Sequence, residues 1–101
     1  MGWATPYITK LQRGETVSFR PRGNSMTGRI SSGQKVTVRP LGSDEGLKKR
    51  DIVLCTVSGV QYLHLVTAVQ PGRVQISNNH GKVNGWTPIK NIYGKCIRVE
   101  P

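Results

Sequence analysis

The chain has 101 residues, a length that suits one small domain with a single core. Apolar residues make up 36% of it and occur only in short stretches, which excludes a membrane-spanning helix. Fifteen Lys and Arg against five Asp and Glu give a formal charge of +10, which predicts attraction to polyanions.

The two cysteines and the N-terminus indicate the cellular compartment. Cys55 and Cys96 lie in apolar contexts typical of strands, and two cysteines are too few for a disulfide scaffold. We expect buried free thiols in a reducing cytoplasm, with a disulfide between the two as the alternative. No apolar run follows a basic start at the N-terminus, so we expect neither a secretory signal nor a membrane partner.

The chain begins with a predicted arm over residues 1–15 that holds one short helix. Thr5 followed by Pro6 favours a helix capped by Thr5, with the proline in the first turn, and Gly14 marks its end. The remaining residues, 16–101, predict a β domain. Within it, residues 26–32 predict a single helical turn.

Alternating and β-branched apolar residues predict strands along the rest of the chain. Ser58-Gly59 and Pro71-Gly72 are typical tight turns. Segments 42–49 and 78–91 predict loops, and the length of the second is typical of functional loops. The fold class is therefore mainly β, a single small domain of antiparallel strands with one short N-terminal helix. The predicted strands are 16–20, 35–39, 52–57, 60–69, 73–77 and 93–99.

The segment Gly23-Asn24-Ser25-Met26, followed by Ile30 and Gly33, resembles the nucleophile motif of one peptidase superfamily. This superfamily joins the self-cleavage domain of LexA repressors to signal peptidases. Further segments resemble its later landmarks in the same order, from about residue 16 to the end of the chain. They are Asp51-Ile52-Val53-Leu54, residues 61–66, residues 76–79 with Asn84-Gly85-Trp86, and residues 92–95.

The resemblance implies a fold of curved antiparallel sheets and a serine peptidase-like protein. The chain is most similar to small stand-alone members such as those carried by phages. It departs from the usual pattern at Gly28, where signal peptidases have Pro, and at Gln34 and Arg50, which replace Asp and Gly. These are scaffold positions.

The resemblance also assigns roles to individual residues. Ser25 takes the nucleophile position and His64 the general-base position, where LexA-like proteins use Lys and the signal peptidases of archaea and the endoplasmic reticulum use His. A histidine has an ordinary pKa of about 6.5, so it is mostly neutral and basic near pH 7. Asn78 matches an acidic position of the superfamily, and we expect it to orient the imidazole. Backbone N–H groups around Ser25, between Asn24 and Met26, are the expected oxyanion donors.

Structural interpretations stand beside these roles. Ser25 is also a common turn residue, His64 is also compatible with a satisfied buried histidine, and Asn78 with a loop cap. His80, in a Gly- and Asn-rich loop, is expected to be exposed or to contact phosphate. Trp86 is expected to form a small satellite core. The separated His and Cys residues have no metal-ligand spacing, and we predict neither a metal nor a cofactor.

The basic residues predict an alternative function. They flank the Ser25 motif, and Trp3, Tyr62, Trp86 and Tyr93 are candidate stacking partners, so an inactive module of the same fold would contact nucleic acid or an acidic host protein. A third hypothesis is self-processing near Gly2-Trp3-Ala4. The candidate nucleic-acid-binding residues are Arg20, Arg22, Arg29, Lys48, Lys49 and Arg50.

Overall fold

Seven strands, one α-helix and one 3₁₀ turn form the structure, a computed structural model that describes residues 2–42 and 45–101. The strands build one antiparallel sheet that is not closed, in the order β1-β2-β7-β3-β4-β5-β6, and the predicted fold class is confirmed. The elements are α1 (Thr5–Gln12), β1 (Val17–Phe19), β2 (Lys35–Pro40), β3 (Ile52–Val57), β4 (Val60–Gln70), β5 (Arg73–Ser77), β6 (Val83–Pro88), the 3₁₀ turn (Ile89–Asn91) and β7 (Ile92–Glu100).

Local sequence preferences account for six of these strands, whose observed bounds agree with prediction to within one residue at each end. The β3–β4 hairpin turns at Ser58 and Gly59, whose φ angles of 49° and 81° are those of a type I′ turn. This turn matches the right-handed twist of the strands it joins and fixes their register.

Strand β6 was not predicted, because its segment has the composition of a loop. It pairs with β5 along its whole length, and the pairing shifts register so that Ser77 faces Val83 and Ile76 faces Gly85. Asn84 is the additional residue of this β-bulge, and Gly85 has a φ of 139° that favours glycine. A glycine and a bulge break the alternation by which strands are recognised.

The helix α1 is present as predicted, but it begins at Thr5, one residue earlier than a Thr5 cap implies, and ends at Gln12. Ala4 is the N-cap residue, and no side chain caps the helix. The Thr5 hydroxyl instead accepts hydrogen bonds from the Gly2 N–H and from Gln61 Nε2. It therefore ties the arm to β4 and is not available as a cap. Helix α1 is eight residues long, and no helix in the described chain has the length and apolar character to cross a membrane.

Apolar residues pack on both faces of the sheet. Leu54, Leu63 and Leu65 face one cluster, which also contains the buried side of α1. The alternate residues of β3, including Val53 and Cys55, face a second cluster. This alternation follows from the two-residue period of a strand. Strands β3 and β4 therefore contribute buried residues to both clusters.

The cysteines are free, and a disulfide between them, the alternative expectation, is wrong. Cys55 is fully buried in β3, and burial raises the pKa of its thiol to about 12. Cys96 is only half-buried, so the prediction of two buried thiols is correct for Cys55 alone.

Candidate active site

Ser25 opens a tight turn between β1 and β2. Its side chain is exposed, whereas the next residue, Met26, is 5% exposed and packs into the core. The Ile30 N–H donates to the Met26 carbonyl over 2.8 Å, which is one helical turn as predicted. Gly23 enters the turn with a φ of 114°, a conformation that favours glycine. Two buried anchors thus hold an exposed hydroxyl in a fixed place.

His64 lies on the central strand β4, directly opposite Val53 of β3. The ring stacks on that of Tyr62 with centroids 4.7 Å apart, and the residue is 7% exposed. Burial lowers the pKa of His64 from its ordinary value of 6.5, and the hydrogen bond with Asn84 raises it by less. The imidazole is therefore neutral, and able to act as a base, at neutral pH.

The structure brings Ser25 and His64 together although 39 residues separate them in the chain. His64 Nε2 lies 3.1 Å from Ser25 Oγ, which is hydrogen-bonding distance. A hydroxyl within reach of a neutral imidazole nitrogen is the arrangement that activates serine as a nucleophile. The two side chains are therefore neighbours, while their catalytic roles stay a prediction.

The third member of the site is Asn84, and the expectation for Asn78 was wrong. Asn84 Oδ1 lies 2.7 Å from His64 Nδ1. Asn78 Oδ1 instead accepts the backbone N–H groups of His80 and Lys82, closing its own loop. The β-bulge explains the difference, because the additional residue aims the Asn84 side chain across β5 toward His64.

The Asn84 carbonyl decides which imidazole nitrogen is free. An amide oxygen only accepts hydrogen bonds, so His64 Nδ1 carries the proton that it receives. In the neutral ring Nε2 is then the acceptor, and it faces the Ser25 hydroxyl. The chain Asn84–His64–Ser25 therefore has the direction that proton removal from serine requires.

Residues of the β5–β6 loop clamp the Ser25 turn from outside. The Asn79 N–H donates to the Ser25 carbonyl over 2.9 Å, and Asn79 Nδ2 donates to the Thr27 carbonyl. His80, which is exposed as expected, places Nε2 2.8 Å from the Asn24 carbonyl. Arg29 donates to Asn79 Oδ1. The loop therefore has a structural function at the site.

The backbone around Ser25 has free donors. Within the described residues, the N–H groups of Ser25 and Met26 donate to no acceptor, whereas Asn24 contributes its carbonyl to the N–H of Thr27. Free N–H groups next to an attacking hydroxyl are suited to stabilise an oxyanion. Within the described residues the Asn24 N–H also donates to no acceptor, so Asn24, Ser25 and Met26 are all candidate donors, and the Asn24 side chain makes no hydrogen bond there.

A cleft of about 530 Å³ opens beside Ser25 and His64. Its walls come from β4, from the segment that leads from β1 to Ser25, and from the N-terminal arm. Trp3 and Ala4 are held there by Gln61, whose carbonyl accepts the Trp3 Nε1–H and whose Oε1 accepts the Ala4 N–H. The only candidate self-processing segment thus lies folded at the start of α1. Other lining residues are Tyr7, Phe19, Arg20, Arg22, Ile30 and Leu63.

One edge of β4 is open along this cleft. Strand β5 pairs with β4 only from Leu65 onward, so among the described strands only β3 pairs with residues 60–64. Val57 and Val60 flank a two-residue turn and bond to each other, which directs the N–H and C=O of Leu63 away from β3. A main-chain donor and acceptor therefore face the cleft.

Only some of the predicted basic and aromatic residues line the cleft. Arg20 and Arg22 line the cleft together with Trp3 and Tyr62, but Lys48, Lys49 and Arg50 do not. The ring of Trp86 lies under the Arg73 guanidinium, 4.6 Å from it, near the β4–β5 turn. The Tyr93 hydroxyl donates to Thr56 Oγ1.

The chain matches no protein-family model, and comparison with curated proteins gives no match either.

Proposed function

We propose that the protein is a serine peptidase that cleaves extended peptides by acyl transfer, and that it belongs to the superfamily of LexA-type self-cleavage domains and signal peptidases. The supporting observation is the hydrogen-bonded series Asn84–His64–Ser25, with distances of 2.7 Å and 3.1 Å, at the edge of a cleft. A histidine between an orienting amide and a serine hydroxyl is an established arrangement of general-base catalysis.

In the first half of the reaction, Ser25 Oγ attacks the scissile carbonyl carbon while His64 Nε2 takes the hydroxyl proton. The carbonyl oxygen becomes an oxyanion that accepts hydrogen bonds from the N–H groups of Ser25 and Met26. His64 then gives its proton to the leaving amine as the C–N bond breaks. The products are an acyl ester on Ser25 and a free amine.

In the second half, water attacks the ester carbonyl and loses a proton to His64 Nε2. The tetrahedral intermediate collapses, the bond to Ser25 Oγ breaks, and His64 returns the proton to the serine. Asn84 keeps the ring oriented throughout, because its carbonyl holds the Nδ1–H in both ring protonation states.

The open edge of β4 indicates how a peptide is presented. An extended segment that pairs with Leu63 adds a strand to the open edge of β4, next to His64 and Ser25. Main-chain hydrogen bonds hold the peptide, and its alternate side chains point into the cleft. Gly28, with a φ of 100°, fits a turn that proline cannot adopt, which accounts for this departure from the superfamily pattern.

A fluorophosphonate probe tests the proposal. We expect it to label Ser25 in the native protein, with the adduct located by peptide mass spectrometry. Ser25→Ala and His64→Ala should abolish labelling, whereas Ser31→Ala, which removes another hydroxyl lining the cleft, should leave it intact. Absence of labelling in a folded native protein, or equal labelling of the Ser25→Ala variant, contradicts the proposal.

A further inference from the structure

The side chains that line the cleft indicate which kind of ligand it binds, in addition to the reaction proposed at Ser25. On one side, three aromatic rings form a cluster. Tyr7 and Phe19 stack with centroids 4.3 Å apart, and Trp3 lies 5.8 Å from Phe19. Trp3 remains 49% exposed, so much of its indole is available to a ligand. Aromatic surfaces of this kind contribute strongly to recognition of apolar side chains.

The rest of the floor is also apolar. Met26, Ile30 and Leu63 line the cleft between its two extended walls. The volume of about 530 Å³ lies within the range, roughly 300–1,000 Å³, of sites that enclose whole small molecules. Such a space suits a large aliphatic or aromatic side chain and leaves a methyl side chain with few contacts.

The charged side chains among the described residues that line the cleft are arginines, so the cleft is positively charged. Arg20 and Arg22 lie in the same wall, and no Asp or Glu is among the described residues that line the cleft. Arg20 keeps its position by donating to the Gly33 carbonyl over 2.9 Å, while the Arg22 side chain makes no hydrogen bond within the described chain. The field at the cleft adds to that of a molecule with a formal charge of +10.

Trp3 also limits the length of the site. Its Nε1–H occupies the Gln61 carbonyl, one of the groups that point away from β3. A peptide strand can therefore pair at Leu63 but meets the indole about two residues further on, since a strand advances about 3.3 Å per residue. Recognition is concentrated in the few residues next to the catalytic pair.

We infer that the cleft selects acidic polypeptide segments in which one bulky apolar side chain, seated against Trp3 and Phe19, lies beside Asp or Glu residues that face Arg20 and Arg22. This rests on the proposed function only in treating the segment as substrate. Binding itself needs the cleft and not the chemistry, so the two are testable separately.

The test measures binding to the intact Ser25→Ala protein by tryptophan fluorescence. Trp3 lies in the cleft, and Trp86, the other tryptophan, lies under Arg73 near the β4–β5 turn. Three blocked hexapeptides are compared: one with a central Leu and flanking Glu, one with the same Leu and flanking Lys, and one with central Ala and flanking Glu. A Trp3→Phe variant establishes that the signal comes from the cleft.

We expect the Glu/Leu peptide to bind about 10-fold or more tightly than either of the others at low salt, and this preference over the Lys peptide to shrink near 0.5 M salt. Arg22→Gln should weaken binding of the Glu/Leu peptide about 2- to 5-fold. Lys49→Gln, which removes the same charge from an exposed residue outside the cleft, should weaken binding less than Arg22→Gln does.

Equal affinities for the Glu and Lys peptides, or equal effects of Arg22→Gln and Lys49→Gln, overturn the inference. Tighter binding of a DNA hexanucleotide with the same dependence on Arg22 also overturns it, in favour of nucleic acid. Selective binding by the Ser25→Ala protein without cleavage of the Glu/Leu peptide by wild type supports the inference and contradicts the proposed function. Cleavage without charge preference does the reverse.

Discussion

At the scale of single residues, the proposed function depends on the pKa and the orientation of His64. Among the described residues no carboxylate contacts His64, so burial dominates and its pKa falls below 6.5. A triad with an aspartate has the opposite bias, because the negative charge favours the imidazolium. Asn84 supplies orientation without that charge. The site therefore has a base that stays neutral to lower pH than an ordinary histidine but is weaker than one supported by a carboxylate.

This balance predicts the pH dependence of cleavage. Only the neutral imidazole can accept the Ser25 proton, so kcat/KM should rise with pH along a limb whose midpoint lies below 6.5. In Asn84→Asp the added carboxylate favours the imidazolium, and the midpoint should move upward by about one unit or more. Asn78→Asp is the control, because Asn78 does not contact His64. Equal shifts in the two variants contradict the assigned geometry.

The sequence predicted Ser25 and His64 but not Asn84, and the reason is geometric. The first two lie where a short motif and an alternating strand place them, and both patterns are local. The position of Asn84 depends on a bulge in β6, where the register of the pairing with β5 shifts by one residue. Asn78 was the nearer match by motif, but its carbonyl closes a loop. Local patterns carry no signal for such a register shift.

At the scale of elements, the proposed recognition of a peptide depends on the open edge of β4. Its first half has one strand neighbour and its second half has two, so the sheet itself leaves a place for an additional strand. Residue spacing alone predicted β4 to within one residue, but not which of its edges is free. That depends on where β5 begins to pair, which is a tertiary property.

N-methylation of the substrate tests whether a peptide adds to this edge. Removing the one peptide N–H that pairs with the Leu63 carbonyl should lower kcat/KM about 5- to 10-fold, since a hydrogen bond contributes about 1 kcal/mol. N-methylation of the adjacent residue, whose N–H points to solvent in the paired strand, is the matched control. If a scan of single N-methyl groups shows no alternation, the peptide does not bind as a strand.

The close packing of β7 against β2 requires a glycine at position 94. Gly94 lies at the centre of the sheet, where an added Cβ would come within 2.6 Å of the Arg39 carbonyl and 2.7 Å of Val38 Cγ1. Because backbone must move, Gly94→Ala should lower the free energy of unfolding by about 1–3 kcal/mol. Gly46→Ala, where no atom of the described residues lies within 4 Å of the added Cβ, should change it little. Denaturant unfolding measures both, and equal stability of the two variants contradicts this packing.

At the scale of the whole molecule, charge is the dominant property. Among the described acidic residues, Glu45 pairs with Arg39, and Asp51 pairs with Lys95. The remaining cations far outnumber the remaining carboxylates, so the molecule as a whole has a strongly positive field. Nucleic-acid binding stays a prediction on this basis. It should be non-specific, fall steeply with salt and be independent of Ser25.

Salt should act in opposite directions on stability and on peptide binding. The molecule measures 35 × 32 × 25 Å, and the Debye length falls from about 30 Å at 0.01 M to about 8 Å at 0.15 M. At low salt every cation therefore repels every other across the fold, and added salt relieves this repulsion. We expect the free energy of unfolding to rise over this range while the affinity for an acidic peptide falls.

A double variant separates the two effects of salt. Lys48→Gln with Lys49→Gln removes two exposed charges that do not line the cleft. It should reduce the gain in stability with salt, because fewer like charges repel, and leave the salt dependence of peptide affinity close to wild type. Arg22→Gln should do more to the second than to the first, because its charge acts at short range on the ligand. Thermal unfolding and fluorescence titration at matched salt concentrations give both dependences. If the double variant and Arg22→Gln change affinity alike, the binding field belongs to the net charge of the molecule and not to the cleft.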